Sequence, residues 1–265
     1  MSEWKGKTAL ITGASYGIGG AFARRLAADG AHLIITARSG DRLEALAGEL
    51  RGRHKVGVTV ITADLAQPTV PEEIFNETER LGLQVDLLIN NAGFGAVGEF
   101  AHLSLARQLE MIQVNVTALV MLSHLYLQPM LKRKSGAIIQ VASTAAFQAV
   151  PYFAIYAATK AFVLSFSEAL WAECREQGVR VLGLCPGPTE THFQEIAGTA
   201  HRRPPNMQTA EEVVDVALQA LARGRSHVVS GLSNRLQTSI QRFVPRDLVT
   251  RVAARIFRPF ASGSN

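Results

Sequence analysis

The chain has 265 residues, 48% of them hydrophobic and 18% charged, which is enough apolar material for one large α/β core and requires no second domain. Its formal charge of +5 is concentrated at one end: from Arg223 onward eight arginines stand against Asp247 alone, and residues 1–222 are slightly acidic. That distribution excludes the basic face that nucleic-acid recognition by the main body would need.

The opening residues run straight into an apolar segment at 7–12, without the charged, apolar, small-residue order of a secretory leader, and a cytoplasmic protein is expected. Short, nearly continuous apolar runs follow at 31–38, 56–64, 85–90, 136–143, 179–185 and 227–230. Strands of that kind are buried on both faces. Segments of helical periodicity alternate with them at 17–29, 41–51, 70–81, 104–134, 152–177 and 210–223. This order predicts an α/β fold, a Rossmann-type doubly wound parallel sheet of about seven strands with flanking helices. The most apolar stretch, 114–131, is broken by Asn115, Ser123, His124, Gln128 and Pro129 and reads as a buried helix rather than a membrane span. Cys174 and Cys185 fit as small core residues, with no spacing for a disulfide or a metal site. Residues 189–208, rich in Pro, Thr, His and Arg, are long for a loop in a compact domain and form a candidate lid. The chain thus divides into a main Rossmann-type domain at 1–230, lid included, and a C-terminal extension at 231–265 packed on or near it.

The first strand ends in Thr12-Gly-Ala-Ser-Tyr-Gly-Ile-Gly19, and a helix begins at once. Glycines at 13, 17 and 19 allow a tight turn and let a pyrophosphate approach the N–H groups and positive dipole of the helix N-terminus. In such folds an acid about 20 residues on holds the adenosine ribose, but the second strand ends Thr36-Ala37-Arg38-Ser39 with no carboxylate at its tip. Arg38 can pair with a 2′-phosphate, so NADP(H) is favoured over NAD(H). Asp41 suits a helix cap better than a ribose ligand. Tyr156 and Lys160, four apart on a helix, share a face with Cβ atoms roughly 5–6 Å apart. The ammonium would pull the phenol down from its ordinary pKa of ~10 toward the working range of a general acid that protonates a carbonyl oxygen.

The glycine turn at 12–19 is followed by Asn90-Asn91-Ala92-Gly93, Asn115, Ser143, the Tyr156-x-x-x-Lys160 pair and Pro186-Gly187. In this order and spacing the chain resembles the classical short-chain dehydrogenase/reductase family over nearly all of residues 5–230, and is similar to its hydroxysteroid and ketoacyl reductase relatives. The resemblance implies roles. Ser143 would orient the substrate oxygen, and Tyr156 would donate the proton in reduction and receive it in oxidation. Lys160 would lower the Tyr156 pKa and bond the nicotinamide ribose, while the Asn115 backbone would hold a water that resupplies the proton. Around the cofactor it implies Gly13, Ser15, Tyr16, Gly17, Ile18 and Gly19 at the pyrophosphate, Asp64 with Leu65 at the adenine, and Asn91, Ala92 and Gly93 along the adenosine. Pro186 and Gly187, ending the sixth strand, would also border the cofactor, and after them the Thr189 backbone and the Thr191 hydroxyl would hold the carboxamide. Thr189 stands where many relatives carry a branched aliphatic, which leaves a backbone contact intact. Pairing of subunits through 104–134 and 152–177, as a dimer or tetramer, is also implied.

Residues 144–155 are mostly apolar, and with Phe94, Val97 and Phe100 they predict a hydrophobic pocket for an apolar ketone or aldehyde. In the tail Leu248, Val249, Val252, Ala253, Ile256 and Phe257 repeat at helical spacing opposite Arg251, Arg255 and Arg258. Such a helix packs its stripe over the cleft or a partner subunit; the alternative is an anionic membrane surface. His102, His124, His192 and His201 have no partner spacing. The expected activity is NADPH-dependent carbonyl reduction or its reverse. The rival is a catalytically idle NADP-sensing protein on the same fold, which would have no need of Ser143, Tyr156 and Lys160.

Overall fold

The computed structural model describes residues 2–191, 193–198 and 207–261. Strands β1 (Thr8–Thr12), β2 (His32–Ala37), β3 (Val58–Thr62), β4 (Leu87–Asn90), β5 (Gly136–Val141), β6 (Val179–Cys185) and β7 (His227–Val229) form one parallel sheet in the order β3-β2-β1-β4-β5-β6-β7. The pairing sets Ile11 of β1 between Ile35 of β2 and Ile89 of β4. Alternate side chains feed two apolar layers. Ile11, Leu33 and Ile35 join the layer under α1 (Gly17–Ala28), α2 (Gly40–His54) and a later helix at Ala210–Ala222, whereas Leu10, Ile34 and Leu88 face the other side. That second layer is covered by α3 (Val70–Arg80) and by helices at Ala118–Lys132 and Ala154–Cys174. Helices on both faces are why these strands are apolar throughout rather than alternating. The strand order reverses between β1 and β4, which leaves a crevice beyond their C-terminal ends.

Several boundaries depart from the sequence pattern for physical reasons. The run at 104–134 is two helices, α4 (Leu105–Ile112) and α5 (Ala118–Lys132), joined by a π-helical turn at Gln113–Thr117 that carries Asn115. By length and composition Leu105–Lys132 would pass for a membrane span, yet α5 packs on α3, β4 and β5. Helix α6 (Ala154–Cys174) starts two residues later than periodicity places it, because Tyr152 at φ 64° adopts the left-handed region. Asp41 is not a cap: α2 is preceded by Ser39, and Asp41 sits in the first turn, where its charge complements the helix dipole. Within the expected lid, Phe193–Ile196 forms the short α7, and Thr189 bridges Gln208 so that both ends of the loop are tied. Residues 192 and 199–206 of that segment lie outside the described residues. After α8 (Ala210–Ala222) the tail folds as two helices, α9 (Leu232–Ile240) and α10 (Arg246–Ala261).

Asn90 binds the sheet to its helical layer from inside. Its Nδ2 donates to Gln140 Oε1 on β5 and Ser123 Oγ on α5, each at 3.0 Å, and it is buried. Replacing Asn90 by Ala leaves Gln140 Oε1 without this donor, a loss of about 1–3 kcal/mol. The urea midpoint of Asn90→Ala should fall with an unchanged slope; an unmoved midpoint would show that the network contributes nothing to stability.

Candidate active site

The site begins at the turn from β1 into α1. Gly17 has φ 58°, and a Cβ there would lie 2.9 Å from Thr191 Cγ2, while one on Gly19 would lie 2.3 Å from the Gly13 carbonyl oxygen. No larger residue fits either position. No side chain caps α1. The turn is braced from β4: Asn91 Nδ2 donates to the carbonyls of Thr12 (2.9 Å) and Gly13 (3.1 Å), and Thr12 Oγ1 accepts from the N–H groups of Asn91 and Ala92. The Asn91 amide is therefore committed to the fold, and what the 91–93 segment offers a ligand comes from its surface and main chain.

A cleft of about 1380 Å³ runs from this turn across the C-terminal edge of the sheet. Every residue expected at the cofactor or the reacting centre lines it except Gly19 and Asn115. Asn115 is fully buried, and its side chain is consumed within the fold. Nδ2 donates to the Phe94 carbonyl (3.0 Å) and Thr159 Oγ1 (3.1 Å), and Oδ1 accepts from the Phe94 N–H. Asp64 lies two residues past β3, where its Oδ1 accepts from the Ala66 N–H. Arg38 is 57% exposed, with one guanidinium nitrogen 3.7 Å from Glu110 Oε1.

Ser143 follows β5 and opens a 3₁₀ turn at Thr144–Phe147, its Oγ accepting from the Ala145 N–H. Tyr156 stands in the first turn of α6, its hydroxyl group on the Ser143 side of the cleft that both residues line. Lys160, one turn on, donates from Nζ to the Val141 carbonyl at 2.7 Å and lies 5.8 Å from the centre of the Tyr156 ring. Burial governs both groups. It pushes Tyr156 up to about 12, with Ser143 pulling part of the way back, and it pushes Lys160 down to about 8. In this structure the Lys160 amine is turned to a main-chain carbonyl, and burial raises the Tyr156 phenol where the sequence reading expected Lys160 to lower it.

Aromatic rings cover this centre. Phe153 stacks on Tyr156 at 4.4 Å between ring centroids, Phe193 of α7 lies 5.3 Å from Tyr156, and Phe257 of α10 lies 6.5 Å from Phe153. The tail stripe of Leu248, Val249, Val252, Ala253, Ile256 and Phe257 lines the cleft, while Arg251 and Arg255 are exposed and Arg258 Nε donates to the Tyr152 hydroxyl. Phe94 and Val97 also line it. Phe100 does not: it is 60% exposed and borders a separate small hollow. Residues missed by the sequence reading include Glu110, Phe193 and Ile196, and Ser233, Leu236, Gln237 and Ile240 of α9. Leu236 and Ile240, four apart after Gly231, are the signal that would have revealed α9. His102 pairs with Glu99 and His124 with Gln128 at the surface; His192 and His201 lie outside the described residues.

A sequence model described as short chain dehydrogenase matches residues 7–201. The 7beta-hydroxysteroid dehydrogenase of Collinsella aerofaciens is 31% identical over 239 residues, 89% of this chain and 90% of its own. Among solved structures, a short-chain dehydrogenase from Sphingobium yanoikuyae in complex with NADPH superposes with a TM-score of 0.81 at 33% identity, over 89% of this chain and 94% of that one. The bulky-bulky ketone specific alcohol dehydrogenase from Comamonas testosteroni gives 0.77 at 33% identity, over 89% and 93%.

Burial of Lys160 carries a pH signature. Between about 8 and its ordinary value of 10.5 the unfolded chain holds one more proton at this position than the folded one, so stability rises with pH across that window. Below it both forms are charged and the full cost, on the order of 3 kcal/mol, is present. Relative to Lys160→Met, the wild type should gain in urea midpoint from pH 7.5 to 10; parallel midpoints would contradict a buried, proton-shedding amine.

Proposed function

The chain belongs to the short-chain dehydrogenase family, and from that premise we propose that it is an NADPH-dependent oxidoreductase interconverting an apolar ketone or aldehyde with its alcohol. The observation that carries this reading is one cleft with a glycine turn and Arg38 at one end, Ser143, Tyr156 and Lys160 along it, and an apolar aromatic wall. At about 1380 Å³ it exceeds the roughly 300–1,000 Å³ usual for a single small ligand, leaving room for a dinucleotide and a second molecule. The residues present fit such a dinucleotide. Gly17 and Gly19 admit no side chain where the backbone must be approached, the N-terminus of α1 has no side-chain cap, and Arg38 is available to a 2′-phosphate.

When bound, the cofactor supplies or takes up the hydride. The protein's part is placement and proton supply. Ser143 Oγ holds the substrate oxygen within reach of the Tyr156 hydroxyl, which is protonated at neutral pH and is the proton donor in reduction. Lys160 is the group that would bond the nicotinamide ribose. Asn115, its side chain engaged by Phe94 and Thr159, leaves its main chain to serve a water that resupplies the proton. Thr191 and the Thr189 backbone would hold the carboxamide. Phe153, Phe193, Phe257 and the α10 stripe exclude water and favour an apolar carbonyl. The NADPH complex and the bulky ketone specificity named for two similar structures support the cofactor and the substrate class.

The test is a carbonyl screen that follows NADPH oxidation. Along a homologous series of ketones kcat/KM should rise about fourfold per added methylene until the wall is filled, in line with ~0.8 kcal/mol for each buried CH₂. Tyr156→Phe should keep NADPH binding and lose about 10²- to 10⁴-fold in turnover. A preference for small charged keto acids, or equal turnover in the variant, would contradict the assignment.

A further inference from the structure

We propose that Glu110 sets the choice between phosphorylated and unphosphorylated dinucleotides: its carboxylate faces Arg38 where a 2′-phosphate would pair, and Arg107 holds it back when a phosphate takes Arg38. This rests on the reading that the cleft binds a nicotinamide dinucleotide. Glu110 stands in the last turn of α4 and lines the cleft together with Arg38, which follows β2. Its two carboxylate oxygens face different cations. Oε1 is 3.7 Å from Arg38, too long for a hydrogen bond, whereas Oε2 is 2.8 Å from Arg107 Nη1, a charge-assisted bond.

Arg107 is the better anchored of the two arginines. Its guanidinium carbon lies 3.9 Å over the centre of the Phe94 ring, and Asn115 clamps Phe94 at both its N–H and its carbonyl. Glu110 therefore keeps a fixed partner when it gives up Arg38. A phosphate dianion paired with Arg38 would come within a few ångströms of the Glu110 carboxylate, and the repulsion is offset only on the Arg107 side. An unphosphorylated ribose brings a hydroxyl donor instead, and Glu110 offers it an acceptor. The acid missing from the tip of β2 is thus supplied across the cleft from α4. The position carries both an arginine that favours phosphate and a carboxylate that opposes it.

The experiment is equilibrium binding of NADPH and of NADH to the full chain by intrinsic fluorescence, in the wild type, Glu110→Gln, Arg107→Gln and the double variant, with melting temperatures as a check of folding. For Glu110→Gln the ratio of the NADH Kd to the NADPH Kd should rise about three- to tenfold at low ionic strength, and by less in 0.5 M salt. Arg107→Gln should lower the ratio, and should no longer do so once Glu110 is Gln. A ratio that is unchanged or lowered in Glu110→Gln, or a rise insensitive to salt, overturns the role of Glu110. If the wild type binds neither nucleotide, the proposed function falls and takes this inference with it; binding with an unmoved ratio removes only the inference.

Discussion

Lys160 is 4% exposed and its amine bonds to a main-chain carbonyl at the end of β5, and the rest of the site is arranged around that unfavourable burial. An amine so placed loses hydration that a single 2.7 Å bond to Val141 does not fully replace, which is why its proton affinity is lowered. Val141 closes a strand paired with β4 over residues 137–140 and with β6 over residues 136–141, and α6 packs on β6 beside it. Tyr156, one turn earlier on the same helix, inherits its position from that contact. Ser143 reaches it from just past the same strand. Sheet edge, helix and turn thus converge on two buried polar groups that an ordinary core would exclude.

The cleft around them has two chemically opposed ends. One is polar and made largely of backbone, at the glycine turn, with Arg38 beside it. The other is aromatic and aliphatic, built from three segments distant in sequence: Phe153 before α6, Phe193 of α7 and the inner stripe of α10. Leu248, Val252 and Ile256 stay about half exposed while facing the cleft, so apolar surface remains for a substrate to cover. Arg251 and Arg255 of the tail are exposed, and Arg258 ties α10 to Tyr152 just before α6.

The strands were legible because burial on both faces writes a continuous apolar run, and the glycine turn because close backbone approach leaves no room for a side chain. Tyr156 and Lys160 were legible through their spacing. What escaped the sequence depends on three-dimensional encounter. Nothing in the residues at 113–117 distinguishes a π-turn from the α-helix around it. Nothing in the residues around Glu110 marks it for the site; α4 brings it to Arg38. Phe100 shared the composition of Phe94 and Val97 but fell on the outer side of its loop. The direction of the Tyr156 pKa turned on depth of burial and on where Lys160 points, neither of which spacing reveals.

Isotope transfer addresses the central claim, that this buried pair organises hydride exchange between a nicotinamide cofactor and a bulky apolar carbonyl. With NADPH deuterated at the transferable ring position and an apolar ketone as acceptor, the alcohol should carry one deuterium on its carbinol carbon for each NADPH oxidised. Alcohol formed without the label, or NADPH left unconsumed across the apolar ketones and aldehydes, would contradict it.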